Sequence, residues 1–261
     1  MIPKIIHYCW FGGNPLPVLA KKCIDSWRKY LPDYEIKEWN EDNFDVKAVK
    51  YIEQAYQRKK YAFVSDYARF WILYHHGGIY FDIDVELVKP LQPIIDAGPY
   101  MGLETKNFIK TGIFTGTDVG VACAPGLGMA AEKGMTFLRD MLDFYPSLDF
   151  IFPSGAINTK TVVSYTSEML VKYGYDRSCN DIQDCAGFKI YPREYFCPLV
   201  DRKTGEVTLF PETYSIHHYA ATWVDRKMRW KGKIVDALMK ILPLTAVGGI
   251  RKIYRAILRK E

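Results

Sequence analysis

The chain is 261 residues long, 49% hydrophobic and 25% charged, a balance that excludes a disordered chain, a collagen and a coiled-coil rod. One large domain or two small ones of this length bury a core without disulfide staples, and the six cysteines contain no CxxC pair, which argues against a zinc ribbon. The net charge of +5 is unevenly spread: residues 224–261 hold eleven Lys or Arg against three Asp or Glu, a net of +8, leaving the first 223 residues at −3. Such asymmetry marks a basic appendage for an anionic partner.

In chain order, Lys4–Trp10 reads as a buried first strand that ends at Phe11-Gly12-Gly13-Asn14. Pro17 suits the first turn of a helix, and Leu16, Leu19, Ala20, Cys23, Ile24, Trp27 and Tyr30 recur on one face of it. Pro32-Asp33 stops that helix, Tyr34–Trp39 alternates as a short strand, and Val46–Gln57 is a second amphipathic helix. Ala62–His76 is a more apolar helix ended by Gly77-Gly78, followed by a central strand over Ile79–Val85. Further strands are predicted at Tyr100–Glu104 and Gly120–Ala124, and helices at Leu127–Tyr145 and Asn158–Tyr173. Short late strands fall at Phe188–Tyr191, Val207–Phe210 and Tyr214–His217. Alternating strands and helices predict an α/β domain with a mainly parallel, Rossmann-like sheet flanked by helices.

The sharpest chemical feature is Asp82-Ile83-Asp84. On an alternating strand both carboxylates face one side and repel unless a cation lies beside them. Oxygen ligands suit Mg²⁺ or Mn²⁺, and such ions commonly bridge to phosphate oxygens. The other reading is a pair of solvated carboxylates in a loop. Upstream, Asp66 and Arg69 lie one turn apart on an apolar helix. They either pair with each other or grip sugar hydroxyls, which need an acceptor and a donor.

Four ordered blocks add context: Ile2–Gly13 (IPKIIHYCWFGG), Ser65–Asp84 (SDYARFWILYHHGGIYFDID), Pro153–Ala156 (PSGA) and Tyr214–Trp223 (YSIHHYAATW). Taken together, they make the chain resemble the glycosyltransferases with a DXD sugar-binding motif, family 32. The resemblance implies a GT-A type fold over residues 1–223, with residues 224–261 as a separate basic tail. It also implies a retaining transfer of a hexose or N-acetylhexosamine from a nucleotide sugar, UDP-linked by preference or GDP-mannose, to a glycan acceptor.

Residue roles follow from the same resemblance. Trp10 matches the aromatic that stacks on the nucleotide base, and His7 lies in the same strand as a donor-site candidate. Asp66 and Arg69 match the pair that holds the donor sugar. Asp82 and Asp84 match the DXD carboxylates that face sugar and metal, with Mn²⁺ or Mg²⁺ as cofactor. His217 matches a late histidine near the diphosphate and metal, with His218 on the opposite face, and Trp223 matches a tryptophan that contacts the leaving diphosphate. Two positions depart from the family pattern: Thr222 where Ser is usual, and Ser154-Gly155-Ala156 where a Thr-Gly-Pro type is usual. The alternatives are a phosphatase of the haloacid dehalogenase type, whose strand also ends in DxD, and a non-catalytic sugar-binding protein.

In the tail, Ile250, Ile253, Tyr254, Ile257 and Leu258 form one apolar stripe and Trp230, Ile234, Leu238, Ile241 and Leu242 another, each interleaved with Lys and Arg. This amphipathic helical pattern suits the surface of an anionic bilayer better than a nucleic acid, or else a packed C-terminal helix pair. The opening MIPKIIHYCW lacks the pattern of a signal peptide, and no run reaches the ~18 apolar residues of a membrane span. The expectation is a cytoplasmic enzyme, peripheral on the inner face of the plasma membrane, whose acceptor is a lipid-linked oligosaccharide of a bacterial capsule or other cell-surface polysaccharide.

Overall fold

A buried strand, β1 (Ile5–Cys9), sits between β2 (Glu35–Trp39) and β3 (Gly78–Tyr80), and both neighbours run parallel to it. The computed structural model describes residues 1–105, 121–179, 181–200 and 207–220. Helix α1 (Val18–Tyr30) makes the crossover from β1 to β2 and buries Ala20, Cys23, Ile24 and Trp27, one face at helical spacing. Then α2 (Lys50–Gln57) and α3 (Tyr61–His76) lead back to the sheet. Gly77 (φ +67°) and Gly78 (φ +96°) turn the chain from α3 into β3. A Cβ on Gly78 would lie 2.6 Å from the Ile5 carbonyl oxygen, so only glycine lets the two strands meet there.

Beyond β3 come β4 (Val85–Leu87), α4 (Gln92–Asp96), β5 (Tyr100–Thr105), β6 (Val121–Cys123) and β7 (Met129–Ala131). Helices α5 (Thr136–Phe144) and α6 (Val162–Lys172) precede β8 (Gln183–Cys185) and β9 (Phe188–Tyr191). The last described strands are β10 (Leu199–Val200), β11 (Val207–Thr208) and β12 (Ser215–His217). The main sheet has the order β2-β1-β3-β7-β5-β9-β8, with β6 paired to β5. The pairings give β1, β2, β3, β5 and β9 one direction, while β6, β7 and β8 oppose them. The sheet is therefore mostly parallel in strand direction and flanked by helices, as the sequence predicts. Two-stranded antiparallel ribbons, β4–β12 and β10–β11, lie off this path.

The sheet separates two apolar layers. Ile6 and Tyr8 of β1 pack with Trp27, Ile24, Phe81 and Leu127 on the α1 side. Cys9 packs with Phe70, Phe137, Met141 and Tyr145 on the α3–α5 side. That alternation along β1 is the strand period of two.

Four predicted elements need correction, one of them α6, which starts at Val162 behind its Thr161 cap rather than at Asn158. The strand expected over Ile79–Val85 stops at Tyr80. Phe81 still donates to the His7 carbonyl, but the Asp82 N–H goes to the Gly126 carbonyl and the Asp82 carbonyl accepts from Val85 in a turn. The helix expected over Leu127–Tyr145 is a strand, β7, followed by α5. Gly128 (φ +138°) and Gly134 (φ +79°) interrupt any helix there, and Met129–Ala131 is wholly buried between β3 and β5. Helix α2 starts at Lys50 rather than Val46, because Asp45 caps the Lys47 N–H in a turn and Val49 is extended. The predicted tail, residues 224–261, lies outside the described residues. Among those described, no helix is long and apolar enough to cross a membrane.

Candidate donor-sugar and cation site

Helix α3 carries the central charges. Its inward face is apolar except for Asp66 and Arg69, both buried. A buried guanidinium needs anionic partners. Arg69 Nη2 has two: Asp66 Oδ1 at 3.0 Å and Asp82 Oδ1 at 3.2 Å. Its Nε donates to the Ser65 carbonyl, and its plane lies over the Tyr80 ring, 5.0 Å from the centroid. Tyr80 Oη also donates to Asp82 Oδ1 at 3.2 Å. Arg69 therefore joins the helix to the turn that follows β3.

The backbone N–H of Val162, the first residue of α6, also acts on the Asp66 carboxylate. Burial pushes its carboxyl up to about 7, against the pull of Arg69 and that N–H. Asp82 is the more open of the two, with its side chain 28% exposed. Among the described residues its Oδ2 accepts no hydrogen bond.

Asp84 faces a different set of partners. Its Oδ1 lies 3.0 Å from His217 Nε2, and its Oδ2 accepts the Ala220 N–H at 2.7 Å. Burial raises the Asp84 carboxyl, but His217 and the Ala220 N–H outweigh it and hold the group at about 2. For His217, burial lowers the imidazole, yet the Asp84 carboxylate, with Asp82 and Glu104 behind it, lifts it to about 9. The ribbon register sets this contact, since His217 pairs with Val85. His218 turns the other way and meets Glu86 Oε2 at 2.8 Å.

The two carboxylates thus sit at the C-terminal end of β3, where α/β sheets bind ligands, but they point to separate partners instead of side by side from one strand. Among the described residues, no three His, Cys, Asp or Glu side chains converge as a ready-made metal cage. The residues fit a divalent ion of the kind that takes one or two carboxylates and completes its shell with substrate phosphates and water. Asp82 Oδ2 is available, and Asp84 keeps unused lone pairs. His217, expected beside the metal, faces Asp84 through Nε2.

The other expected site residues divide. Trp10 is half-buried beyond β1, packs on the α1 side, and donates from Nε1 to the Asn14 carbonyl at 2.5 Å. His7 corrects a donor-site expectation: it is fully buried on the α3 side of β1, with both ring nitrogens used. Trp39 Nε1 donates to His7 Nδ1 at 3.1 Å, so Nε2 carries the proton that Gly77 O accepts at 2.9 Å. Ser154-Gly155-Ala156 forms an exposed loop closed by the Ile151–Ile157 bridge. Trp223 and Thr222 lie outside the described residues.

Gly126 is a site residue that the sequence reading missed. Its carbonyl accepts the Asp82 N–H at 3.1 Å. A Cβ there would lie 2.0 Å from Asp82 Oδ2 and 3.2 Å from Arg69 Nη1, so the glycine leaves room for the carboxylate. The signal in the sequence is faint: Gly126 stands just before the predicted helix at Leu127–Tyr145 and Gly128 just inside it.

Residues 17–100 match the family model described as "Glycosyltransferase sugar-binding region containing DXD motif". Inositol phosphoceramide mannosyltransferase 1 of Schizosaccharomyces pombe is 29% identical over 111 residues, 38% of this chain and 33% of that protein. Inositol phosphoceramide mannosyltransferase 3 of the same yeast is 35% identical over 102 residues, 36% of this chain and 27% of that protein. The chain thus spans about a third or less of the length of these curated relatives. Among solved structures, the PaToxG glycosyltransferase overlaps with a TM-score of 0.46 at 21% identity, covering 66% of this chain and 69% of that one. The matched stretch, residues 17–100, holds Asp66, Arg69, Asp82 and Asp84, and over it the chain is similar to the glycosyltransferase sugar-binding region containing a DXD motif.

Proposed function

We propose that this chain transfers a hexosyl group from a nucleotide sugar to a lipid-linked or other glycan acceptor, with retention at the anomeric carbon and with help from Mn²⁺ or Mg²⁺. The observation that carries the reading is the double grip of Arg69 on Asp66 and Asp82 at the end of β3, next to the Asp84–His217 pair. Relatives named as mannosyltransferases favour mannose among the hexoses, and their named substrate, inositol phosphoceramide, favours a lipid-borne acceptor. The phosphatase alternative draws no support from these relatives.

Each side chain has a role in that reading. Asp82 and Asp84 would hold the ion, which when bound supplies positive charge for the departing diphosphate. Arg69 fixes Asp82 at the end of β3. Asp66 is already bonded to Arg69, so it positions and does not attack. With no poised nucleophile among these groups, front-face attack by the acceptor hydroxyl is the route to retention. His217 keeps Asp84 ionised and oriented, and Trp10, half-buried just after β1, would stack on the nucleotide base. The basic tail, with its net +8, would hold the enzyme on the anionic inner face of a membrane, beside such an acceptor. The test is a screen of UDP- and GDP-sugars for release of nucleoside diphosphate, with Mn²⁺ and with EDTA. At least one donor should turn over only with the metal, and full turnover in EDTA would refute the proposal.

A further inference from the structure

The three residues after His217 wrap around Asp84. The His218 N–H donates to the Asp84 carbonyl at 3.0 Å, and the Ala220 N–H donates to its carboxylate at 2.7 Å. Between them Tyr219 adopts φ +47°, a left-handed conformation that is strained for a non-glycine residue. That turn is what aims the Ala220 N–H back at Asp84. A strained residue persists only where its surroundings hold it. Here the hydroxyl does so: Tyr219 Oη donates to Glu104 Oε2 on β5 at 2.9 Å. Its one proton is then used, so the Cys197 thiol, 3.1 Å away, is the donor in that contact. The Tyr219 ring meanwhile covers His217, with centroids 4.1 Å apart and planes tilted by 50°. Among the described residues His217 Nδ1 is buried without a hydrogen-bond partner, so the hydrogen bond of the ring is the one to Asp84 at Nε2, and Tyr219 lies against its face.

We propose that Tyr219 is a positioning residue for the Asp84–His217 pair, anchored to the main sheet through Glu104. It acts twice on the same carboxylate: its backbone aims the Ala220 N–H, and its ring sets the plane of His217. The proposal rests on the reading of this site as a cation and diphosphate site, and the test keeps the two separable. Tyr219→Phe retains the ring and removes the hydroxyl, whereas Glu104→Gln retains shape and an accepting oxygen. Histidine ring nitrogen spectra, with the His217 signals identified by comparison with His217→Asn, read the geometry without any turnover. Mn²⁺ titration of donor hydrolysis reads its consequence.

Tyr219→Phe should melt near the wild type, shift the His217 signals while leaving those of His7 in place, and need about tenfold more Mn²⁺ for half-maximal rate, the scale of losing a supporting contact behind a metal ligand. Glu104→Gln should shift the same signals less. Should Tyr219→Phe fail to fold, Glu104→Gln carries the same readout with Tyr219 intact. Unchanged His217 signals and Mn²⁺ requirement in the folded variants would overturn the proposal. A wild type that hydrolyses no donor would overturn the functional reading, and the His217 signals would still decide the role of Tyr219.

Discussion

At the residue scale, the site depends on how little room surrounds one carboxylate. Asp82 is fixed by Arg69, by Tyr80 and by the backbone of Gly126, and a methyl group at Gly126 would enter the space of its Oδ2. Gly126 is not in a left-handed conformation, so alanine costs it no backbone strain and acts through that contact. Gly126→Ala is therefore expected to fold, with a melting temperature within a few degrees of the wild type, and to lose at least about tenfold in donor turnover, the effect of ~1.4 kcal/mol at the transition state. Comparing steady-state rates with thermal melts checks this. Unaltered turnover would mean that Asp82 can swing away without consequence. The sequence made Asp82, Asp84, Asp66 and Arg69 legible because paired charges in an apolar block stand out. It left Gly126 hidden, since steric room carries no chemical signature. His7 was misplaced because a histidine in a strand looks alike whether it faces a ligand or a core.

Among elements, His7 shows what a buried titratable group does for the assembly. It ties β1 to Trp39 at the end of β2 and to Gly77 at the end of α3, and it is neutral there, with burial holding it down to about 4. The folded pKa lies below the ordinary value of 6.5, so folding favours the neutral form. Stability from this group is complete above pH 6.5 and is lost as pH falls toward 4, in total roughly 3 kcal/mol. Urea unfolding at pH 7.5 and pH 4.5 should show that loss, and His7→Gln should be weaker at pH 7.5 but flatter between the two. An equal pH slope in the variant would assign the acid sensitivity elsewhere. The first three strands, α1 and α3 were legible because their apolar residues recur at clear periods. β7 was not: Leu127-Gly128-Met129-Ala130-Ala131 is a short apolar run, and periodicity cannot separate a buried strand from a buried helix. The early end of β3 was also hidden, because it depends on Gly126, which is distant in sequence.

For the molecule as a whole, the charge distribution and the sheet carry the argument together. The first 223 residues hold a net −3 and the last 38 a net +8, so attraction to an anionic surface would come from one end. The full chain is expected to sediment with vesicles containing anionic lipid, not with neutral ones, and to be released at high salt, because exposed charges are screened. Binding that ignores lipid charge and salt would remove the membrane from the account. The central claim lies elsewhere, in the two carboxylates that the end of β3 and the β4–β12 ribbon present. It is tested most directly by release of nucleoside diphosphate from a nucleotide sugar, measured for the wild type and for Asp84→Ala with Mn²⁺ and with EDTA. Turnover by the wild type is expected with Mn²⁺ and not with EDTA, and Asp84→Ala should lose at least a hundredfold, about 2.7 kcal/mol. Undiminished turnover in Asp84→Ala, or in the wild type under EDTA, would contradict it.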